Sequence, residues 1–449
     1  EDGGLSLRGL YEGKMGYAYT EKLDEDSIAF LIDSVKKNAS ILDEDDGTDI
    51  FEGSSDYAHH SYYNEELETI GIPEKIELLR SIEKKIRTYD PRIVTLDYCI
   101  IGQFTTERSL MNSKALSLSQ KENGLIIFLS VVVKDDNEMK TASYRKMTRD
   151  FASLHADDIA KAVAEEALAN LGEKLIPSGK YPIIIRNDAA ASLLAIYFSI
   201  FSAENTQKNQ SLLKGKVGQK VASDALTLVS DPFHPDALTG SNFDGEGVAT
   251  KKCEIILDGT LQTLLHNRKT AKIEGCETTG HAYKDSYKST LTVAPQNLYI
   301  APGNKTNDEL IASVTEGVLI TNLSGLHSGT NTISGDFSVE ATGFHIKDGK
   351  IDIVVVYKID RLSRSICDFA ELCKFFDEYN VSFVSVTQDI NTHTSAGRMM
   401  LNILVTFAQY EREIIGERIR DKVAASKRKG KYCGGTPPMG YIVDRENNA

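Results

Sequence analysis

Paired cysteines and long apolar runs are both missing from this chain of 449 residues. No CxxC pair occurs, so neither a zinc ribbon nor a disulfide framework is indicated, and a reducing cytoplasm is the expected compartment. The longest apolar runs, such as residues 125–133 and 193–201, fall well short of the ~20 residues needed to span a bilayer. The sequence therefore predicts no transmembrane segment and no membrane partner. The six cysteines are Cys99, Cys253, Cys276, Cys367, Cys373 and Cys433.

Positive charge is scarce over most of the chain. The chain carries 51 basic and 65 acidic side chains, of which 14 and 13 lie in residues 351–449. The first 350 residues therefore hold 37 basic and 52 acidic side chains, a net charge of −15. Such a surface repels nucleic acid, so only the far C-terminus is electrostatically able to attract phosphate.

The character of the sequence changes near Lys350. The composition, 41% hydrophobic and 26% charged residues, is that of a soluble globular protein, and the length predicts two or three domains. We predict an α/β N-terminal domain at residues 1–174 and a β-rich second domain at residues 175–350. A partial α/β unit with a long C-terminal helix is predicted at residues 351–431, and the start of another domain at residues 432–449.

Hydrophobic periodicity predicts the elements of the acidic part. Residues 5–20 alternate around Gly13 and Gly16 like a strand pair, and Asp26-Ser27 opens a helix. The other predicted elements are a helix at 73–87, strands at 93–101 and 125–133, a helix from Asp157 to Gly172, a strand at 180–185, a helix from Ala189 to about Phe201 that is capped by Asn187 or Asp188, and short strands from 214 to 350.

Several clusters of histidines and acids are candidate sites. His59 and His60 lie among carboxylates in the aperiodic segment 43–64, but a solvated loop is favoured over a metal site because nothing there sets ligand geometry. For Asp244 and Glu246 two roles are equally favoured, setting a turn and contacting a substrate. Two other clusters are favoured as a helix start and a turn, because acids prefer helix N-termini and Asp-Pro prefers turns: His155 with Asp157 and Asp158, and His234 between Asp231 and Asp236.

Four phrases, in order, carry a family resemblance. They are Tyr11-Glu-Gly-Lys-Met-Gly-Tyr17, Phe243-Asp-Gly-Glu-Gly-Val248, Asn297-Leu-Tyr-Ile-Ala-Pro-Gly303 and Ser334-Gly-Asp-Phe-Ser338. With them, residues 1–350 resemble the TldD/PmbA family of bacterial and archaeal peptidase subunits, also described as modulators of DNA gyrase. The resemblance implies one of two subunit types. One type carries zinc on a helix with two histidines and a glutamate, and the PmbA (TldE) type is free of metal.

The helix that bears the metal in this family corresponds here to residues 193–202. Zinc-dependent hydrolysis needs two imidazoles one helical turn apart and a carboxylate that deprotonates the bound water. Ala195 and Ile200 stand where the metal-bearing members have histidines, and neither side chain can ligate zinc. The resemblance therefore implies a PmbA-type subunit with no cofactor of its own. It also implies a heterodimer with a zinc-bearing TldD-type metallopeptidase subunit, acting on peptide substrates.

The C-terminal part opens with an unbroken apolar run, Ile353 to Tyr357, which is typical of a buried parallel strand. A helix that starts at Ser365 and a second strand at residues 381–386 predict one right-handed βαβ unit. A helix of about 50 Å, at ~1.5 Å per residue, is predicted from Ser395 to Lys429. Glu411 lies in its apolar stripe and should pair with an arginine, since an unpaired carboxylate there is costly.

The end of this helix is basic. Residues 412–431 carry eight basic and three acidic side chains. A solvated helix end whose cations suit the helix dipole would explain the run, but contact with duplex DNA is favoured because the run continues into residues 434–441. The predicted DNA-binding residues are Arg418, Arg420, Lys422, Lys427, Arg428, Lys429 and Lys431.

A second family resemblance covers this part. It is carried by Tyr357-Lys-Ile-Asp-Arg-Leu-Ser-Arg-Ser365, Thr394-Ser-Ala-Gly-Arg398, Ala408-Gln-Tyr-Glu-Arg412 and Gly434-Gly-Thr-Pro-Pro-Met-Gly-Tyr441, which are similar to the serine recombinase (resolvase/invertase) family. The resemblance implies that Arg361 and Arg364 surround a scissile phosphate with Asp360 beside them, and that Glu411 and Arg412 lie at the active-site edge. Guanidinium groups suit this role because they pair bidentately with phosphate oxygens.

The nucleophile of that family has no counterpart here. Recombinase-like sequence begins at about Asp352, after the strand that carries the nucleophilic serine in the family, and Ser363 and Ser365 are not nucleophiles in its pattern. We therefore interpret the chain as a chimera of a truncated PmbA-type segment and a recombinase fragment, with exposed sheet edges where strands are lost. The alternatives are a DNA-binding or site-specific recombination protein, and a non-functional fusion. Insertion of a mobile element and an artefact of gene assembly both fit its origin.

Overall fold

The structure, a computed structural model, describes residues 3–42, 49–135, 138–172, 174–177 and 179–357, and also 384–385 and 390–391. For residues 174, 175, 352–357 and the last two pairs it describes the backbone alone. The chain divides into two compact units. The first comprises Glu1–Leu175 with Tyr181–Val356, and the second comprises Ile176–Lys180 with Tyr357–Ala449.

The chain begins with a hairpin that packs on a helix. Strands β1 (Leu5–Tyr11) and β2 (Lys14–Thr20) pair antiparallel, and their turn uses Glu12 and Gly13, both at positive φ, as a two-residue hairpin turn requires. Helix α1 (Glu25–Ser40) is capped by the Asp24 carboxylate and buries Leu31 and Val35 against the hairpin. The predicted strand pair and helix are confirmed.

A three-stranded antiparallel sheet and two long helices form the first large core. The sheet order is β3-β4-β5, and alternate residues of the central strand, from Leu125 to Val133, are fully buried. They pack against Ile82 and Ile86 of one helix and Ile159 of the other. Strand β3 is longer than predicted. The elements are α2 (Glu65–Thr69), α3 (Ile72–Arg87), β3 (Ile93–Met111), β4 (Ser117–Asp135), β5 (Glu138–Thr148), a 3₁₀ turn (Phe151–Ser153) and α4 (Ala156–Ala169).

Short strands dominate the rest of the first unit, as predicted. The elements that follow are β6 (Lys174–Leu175), β7 (Ile183–Ile185), α5 (Asn187–Tyr197), a 3₁₀ turn (Phe198–Phe201), α6 (Ala203–Gln207), β8 (Leu228–Ser230), β9 (Cys253–Leu257), β10 (Thr260–Leu261), α7 (Arg268–Glu274), β11 (Ala282–Tyr283), β12 (Thr292–Val293), β13 (Leu298–Ile300), α8 (Asn307–Ala312), β14 (Glu316–Ser324), α9 (Leu326–Gly329), β15 (Glu340–Lys347) and β16 (Lys350–Tyr357).

Two larger sheets and the two-stranded pair β11-β12 contain these strands. The order β10-β9-β8-β13 is antiparallel throughout and surrounds a core that includes Ile255, Leu261 and Leu265. The second sheet, β6-β16-β15-β14-β7, is mixed: β14 and β15 are antiparallel, whereas β7 and β6 join it in parallel pairs.

The second sheet continues across the predicted boundary at Lys350. Asp348 and Gly349 both have positive φ and form a two-residue connection between β15 and β16, the geometry of a tight hairpin. Strand β16 then lies between β15 and β6. The exposed edge that we expected after the last strand before Lys350 is therefore covered by the next residues of the chain.

Of the second unit, the structure describes residues 176, 177, 179 and 180, Tyr357 at the end of β16, and a small hairpin. Strands β17 (Val384–Ser385) and β18 (Ile390–Asn391) pair antiparallel, and β17 lies within the strand predicted at residues 381–386. Apart from β16 and this hairpin, the predicted resolvase-like unit at 351–431, with its long helix at 395–429, lies outside the described residues. The domain boundaries at 174, 350 and 431 stay predictions.

Candidate functional site

The segment that corresponds to the family's metal-bearing helix is not one continuous α-helix, which corrects our prediction of a helix from Ala189 to about Phe201. Helix α5 ends at Tyr197 and the chain continues as a 3₁₀ turn. The cause is backbone pairing with Leu265, whose N–H donates to the Phe201 carbonyl at 2.8 Å and whose carbonyl accepts from Ala203 at 3.0 Å. These bonds draw the chain out of the helix.

Two residues of this segment decide whether zinc could bind there. Ala195 is exposed on α5, and Ile200 packs on the core around Leu265. Neither a methyl group nor a hydrocarbon side chain offers a lone pair to a metal. Within the part of the chain that the structure describes, no group of three or more histidine, cysteine, aspartate or glutamate side chains could hold a metal ion. The residues present do not fit a zinc ion.

Helix α5 starts differently from our prediction as well. Its N-cap is Arg186, not Asn187 or Asp188. The Arg186 guanidinium reaches both carboxylate oxygens of Asp188, at 2.7 and 2.8 Å, and those of Glu166 on α4, at 2.9 and 3.1 Å. The Asp188 carboxylate also accepts from the Ala189 N–H. This ion-pair network fixes α5 against α4.

Asp244 sets a turn. Its side chain is buried, with 1% exposed, and its carboxylate accepts backbone N–H groups from Glu246 at 2.8 Å, Val248 at 3.0 Å and Ala282 at 3.0 Å. Burial and then the neighbouring Glu246 raise the pKa of Asp244 to about 7, and the three N–H donors oppose that shift. Of the two roles left open for this residue, the geometry supports the structural one.

Glu246 joins three segments of the first unit. One carboxylate oxygen lies 3.4 Å from the Arg8 guanidinium of β1. The other accepts the backbone N–H of Arg268 at 2.9 Å, at the start of α7, where the helix dipole favours a negative charge. The carboxylate therefore ties the N-terminal hairpin to the start of α7, and its side chain is almost fully buried.

Ser230 and His281 form a buried pair that resembles a nucleophile and its base. Their side chains lie 3.0 Å apart. The Ser230 hydroxyl, however, donates to the Gln296 carbonyl at 2.9 Å and accepts the Gln296 N–H at 2.9 Å, so it is held by the backbone. His281 Nδ1 lies 2.9 Å from the Thr279 hydroxyl, which also donates to the His266 carbonyl at 3.2 Å. The pair therefore belongs to a buried structural network of hydrogen bonds.

His281 makes stability depend on pH. Burial lowers the pKa of His281 to about 4 from its ordinary value of 6.5. Between these values the unfolded chain binds more protons than the folded one, so stability falls as the pH falls through the window. We expect the His281 contribution to drop by about 2 kcal/mol between pH 7.5 and pH 5, a drop that His281→Asn abolishes.

Urea denaturation of both proteins at the two pH values measures this effect. The raised pKa of Asp244 acts in the opposite direction over an overlapping window, so the informative quantity is the difference between wild type and variant. An equal change in stability for both proteins would show that His281 is not the titrating group.

The remaining histidine clusters are structural. His155 is the N-cap residue of α4, and Asp157 pairs with Lys85 at 2.5 Å. His234 Nδ1 accepts the Asp236 N–H at 3.2 Å within a turn. The helix-start and turn interpretations are therefore confirmed. His59 and His60 are both exposed, as the predicted solvated loop requires, and the His60 ring lies 4.8 Å from the ring of the buried Tyr62. Residues 43–48 of this segment are outside the described residues.

The residues predicted to act on DNA all lie outside the described residues. They are Asp360, Arg361, Arg364, Glu411 and Arg412 for the recombinase-type site, and Arg418, Arg420, Lys422, Lys427, Arg428, Lys429 and Lys431 for DNA binding. In the residues described, no helix is long and apolar enough to cross a membrane.

Comparison with known proteins covers nearly all of the chain. Family models described as PmbA/TldA metallopeptidase domain 1, central domain and C-terminal domain match residues 1–39, 65–171 and 178–360. A crystal structure from Thermotoga maritima, described as a putative modulator of a DNA gyrase, is 32% identical, with a TM-score of 0.71 and 78% of each chain covered. The chain belongs to the PmbA/TldD family.

Curated relatives carry both family names. The Metalloprotease TldD homolog of Haemophilus influenzae is 26% identical, with 78% of this chain and 74% of the relative covered. The Metalloprotease PmbA homolog of Buchnera aphidicola is also 26% identical, with 68% and 67% covered. A model of the resolvase N-terminal domain matches residues 339–432, and it overlaps the PmbA/TldA C-terminal model between residues 339 and 360.

Sequence reasoning missed the polar cluster around the N-terminal hairpin in this PmbA/TldD member. Lys284 reaches the face of the hairpin that carries Arg8, since its Nζ donates to the Ser6 hydroxyl although 278 positions separate the two residues. The alternation of β1 predicts that Ser6 and Arg8 share a face. The sequence holds no signal that places Lys284 opposite that face.

Proposed function

We propose that this chain is a non-catalytic subunit of the PmbA (TldE) type, which assembles with a zinc-bearing TldD-type metallopeptidase subunit and takes part in peptide cleavage by the complex. The observation that carries the proposal is the chemistry of the α5 segment. The resemblance places Ala195 and Ile200 at the positions of the metal-binding histidines. Neither side chain can ligate zinc.

Identity alone does not separate the two subunit types, since relatives named TldD and PmbA are equally similar. The side chains supply the distinction. Ile200 is half-buried and packs against the core around Leu265, so its side chain serves as an apolar contact there. This arrangement supports a scaffold or partner-binding role over hydrolysis by the chain itself.

A reconstitution experiment tests the proposal. The full chain is mixed with a TldD-type subunit at micromolar concentration, and the complex is measured by gel filtration with light scattering. We expect a stable heteromer, peptide hydrolysis by the mixture with zinc, and none by this chain alone. Hydrolysis by this chain alone with zinc, or failure to associate with the TldD-type subunit, would contradict the proposal.

We propose DNA binding through the C-terminal tail as a second function, supported by the resolvase match to residues 339–432 and by the basic run that ends at Lys431. The resemblance assigns phosphate contacts to Arg361 and Arg364, near Asp360, Glu411 and Arg412. Without the family's nucleophilic serine, the tail would bind duplex DNA and form no covalent adduct.

Salt dependence tests the DNA proposal. Neutralising Lys427, Arg428, Lys429 and Lys431 with alanine should weaken duplex binding and reduce the slope of log K against log salt by about 3 to 4, since each lost phosphate contact contributes ~0.9. Gel shifts across a salt series measure the slope. Replacing four lysines of the acidic part is the matched control, and an equal loss there, or no loss at the tail, would exclude the site.

A further inference from the structure

One face of the N-terminal hairpin is polar and turned toward the turn at Asp244. Arg8 pairs with Tyr17 across the strands, and Ser6 pairs with Tyr19, so these four side chains share one face. Leu7, on the opposite face, packs with the core beneath α1. The polar face meets Glu246 through Arg8 and the Tyr287 carbonyl through the Tyr17 hydroxyl.

Lys284 closes this face from the other side. Its Nζ donates to the Ser6 hydroxyl at 2.7 Å and lies 4.5 Å from the centre of the Tyr17 ring. A Cβ on Gly245 would come within 3.5 Å of the Lys284 Cβ, which places this lysine beside the Asp244 turn. The lysine is partly buried, and Arg8 keeps 27% of its side chain exposed, so solvent reaches the cluster.

The charges of this cluster do not balance. Glu246 supplies a carboxylate to the cluster, and each of the two Glu246 oxygens already has a partner, Arg8 for one and the Arg268 N–H for the other. Asp285, next to Lys284, accepts from the Tyr283 hydroxyl at 3.1 Å. Among the described residues, no carboxylate lies within ion-pair distance of Lys284, whose polar contacts are Ser6 and the Tyr17 ring. A partly buried ammonium beside a guanidinium is therefore left without its own counter-ion.

Such an arrangement favours an anion. Burial and then Arg8 lower the pKa of Lys284 to about 8, which shows that the surroundings disfavour its positive charge. An oxyanion between Lys284 and Arg8 would reverse this, because charge-assisted hydrogen bonds from an ammonium and a guanidinium are short and strong. The Tyr17 ring lies against one side of the Lys284 ammonium, 4.5 Å from its Nζ.

We propose that Lys284 and Arg8, with Ser6 and Tyr17, form a binding site for a small oxyanion, either a carboxylate or a phosphate group. The site is independent of the α5 segment and of the proposed subunit type. Its ligand chemistry follows from two neighbouring cations, of which Arg8 pairs with Glu246 and Lys284 donates to a hydroxyl, that of Ser6.

The titration of Lys284 in the full chain tests the site directly. Lysines are labelled by reductive methylation with ¹³C, and the Lys284 signal is assigned with Lys284→Arg. In chloride we expect it to titrate near pH 8. Inorganic phosphate or acetate at matched ionic strength should raise its pKa by about one unit, a tenfold preference for the charged form. An unchanged pKa in both anions would overturn the proposal.

A pair of variants provides the second measurement. The apparent affinity for the anion is obtained from the rise in Tm with anion concentration, and Lys284→Met should lower it about tenfold. Lys288→Met should leave it unchanged, since Lys288 is exposed and paired with Glu21 at 2.5 Å. The anion that saturates at lower concentration, acetate or phosphate, identifies the ligand group. An equal response of wild type and Lys284→Met would overturn the proposal.

Discussion

Replacing Val355 with proline is expected to destabilise the first unit by about 1 to 3 kcal/mol, because it removes a backbone donor of the sheet and leaves a buried acceptor unpaired. Val355 lies inside β16, opposite Lys174 in the parallel pair with β6, and β15 flanks the strand on its other side. Proline has no N–H to donate, and within sheets it is tolerated at edges, strand starts and bulges. Val355 is at none of these positions, because β16 is an internal strand of its sheet. Urea denaturation of the full chain measures the loss.

The matched control is Ile351→Thr in the same strand. Ile351 is 48% exposed, and threonine keeps the β-branched shape that strands favour, so the change should stay within about 0.5 kcal/mol. If Val355→Pro is as stable as this control, β16 does not contribute to the sheet of the folded protein.

Replacing Asp244 with alanine is expected to cost about 4 kcal/mol. The change leaves three buried backbone N–H groups, of Glu246, Val248 and Ala282, without their acceptor. It also releases the turn that positions Glu246 between Arg8 and α7. Burying the Asp244 carboxylate costs desolvation free energy in the wild type, and the alanine variant does not have this cost. The expected loss of stability is therefore smaller than the sum of three charge-assisted hydrogen bonds.

Two further variants separate the turn from the charge. Asp244→Asn keeps an acceptor for Glu246 and Val248 but turns an amide N–H toward the Ala282 N–H, so we expect an intermediate loss. Asp224→Ala removes an exposed aspartate paired with Lys220 and should cost less than about 1 kcal/mol. Equal losses for Asp244→Ala and Asp224→Ala would show that the buried turn is not a stability determinant.

Local elements were predictable where one signal dominated. The hairpin around Gly13 and the helix from Asp157 have strong turn, cap and periodicity signals, and the structure places them within a few residues of the prediction. The end of α5 was not predictable, because it depends on backbone pairing with Leu265, which is distant in sequence. The length of β3 was underestimated because its second half has polar residues on both faces, so the sequence shows no apolar alternation there.

The site was predictable only in part. That Ala195 and Ile200 cannot bind metal follows from their side chains alone. The role of Asp244 required coordinates, because its partner Ala282 lies 38 positions away, and sequence reasoning left a turn and a substrate contact equally open. Lys284 and His281 went unnoticed, since a lone lysine or histidine in a short strand pattern carries no functional signal.

The junction shows how two family patterns can share one strand. Residues 350–357 carry the apolar run that we assigned to the recombinase fragment, yet they form β16 in a sheet with β14 and β15. An apolar run of this kind specifies a strand buried on both faces but not the sheet that it joins. The neighbouring residues determine which sheet the strand joins. Here the tight turn at Asp348 and Gly349 brings β16 back alongside β15.

The zinc content of the purified full chain tests the central claim most directly. After equilibration with zinc at neutral pH and gel filtration, we predict far less than one zinc ion per chain and no peptide hydrolysis, while a TldD-type subunit treated in parallel retains the metal. A tightly held, stoichiometric zinc ion in this chain, removed by a chelator together with a peptidase activity, would contradict the account.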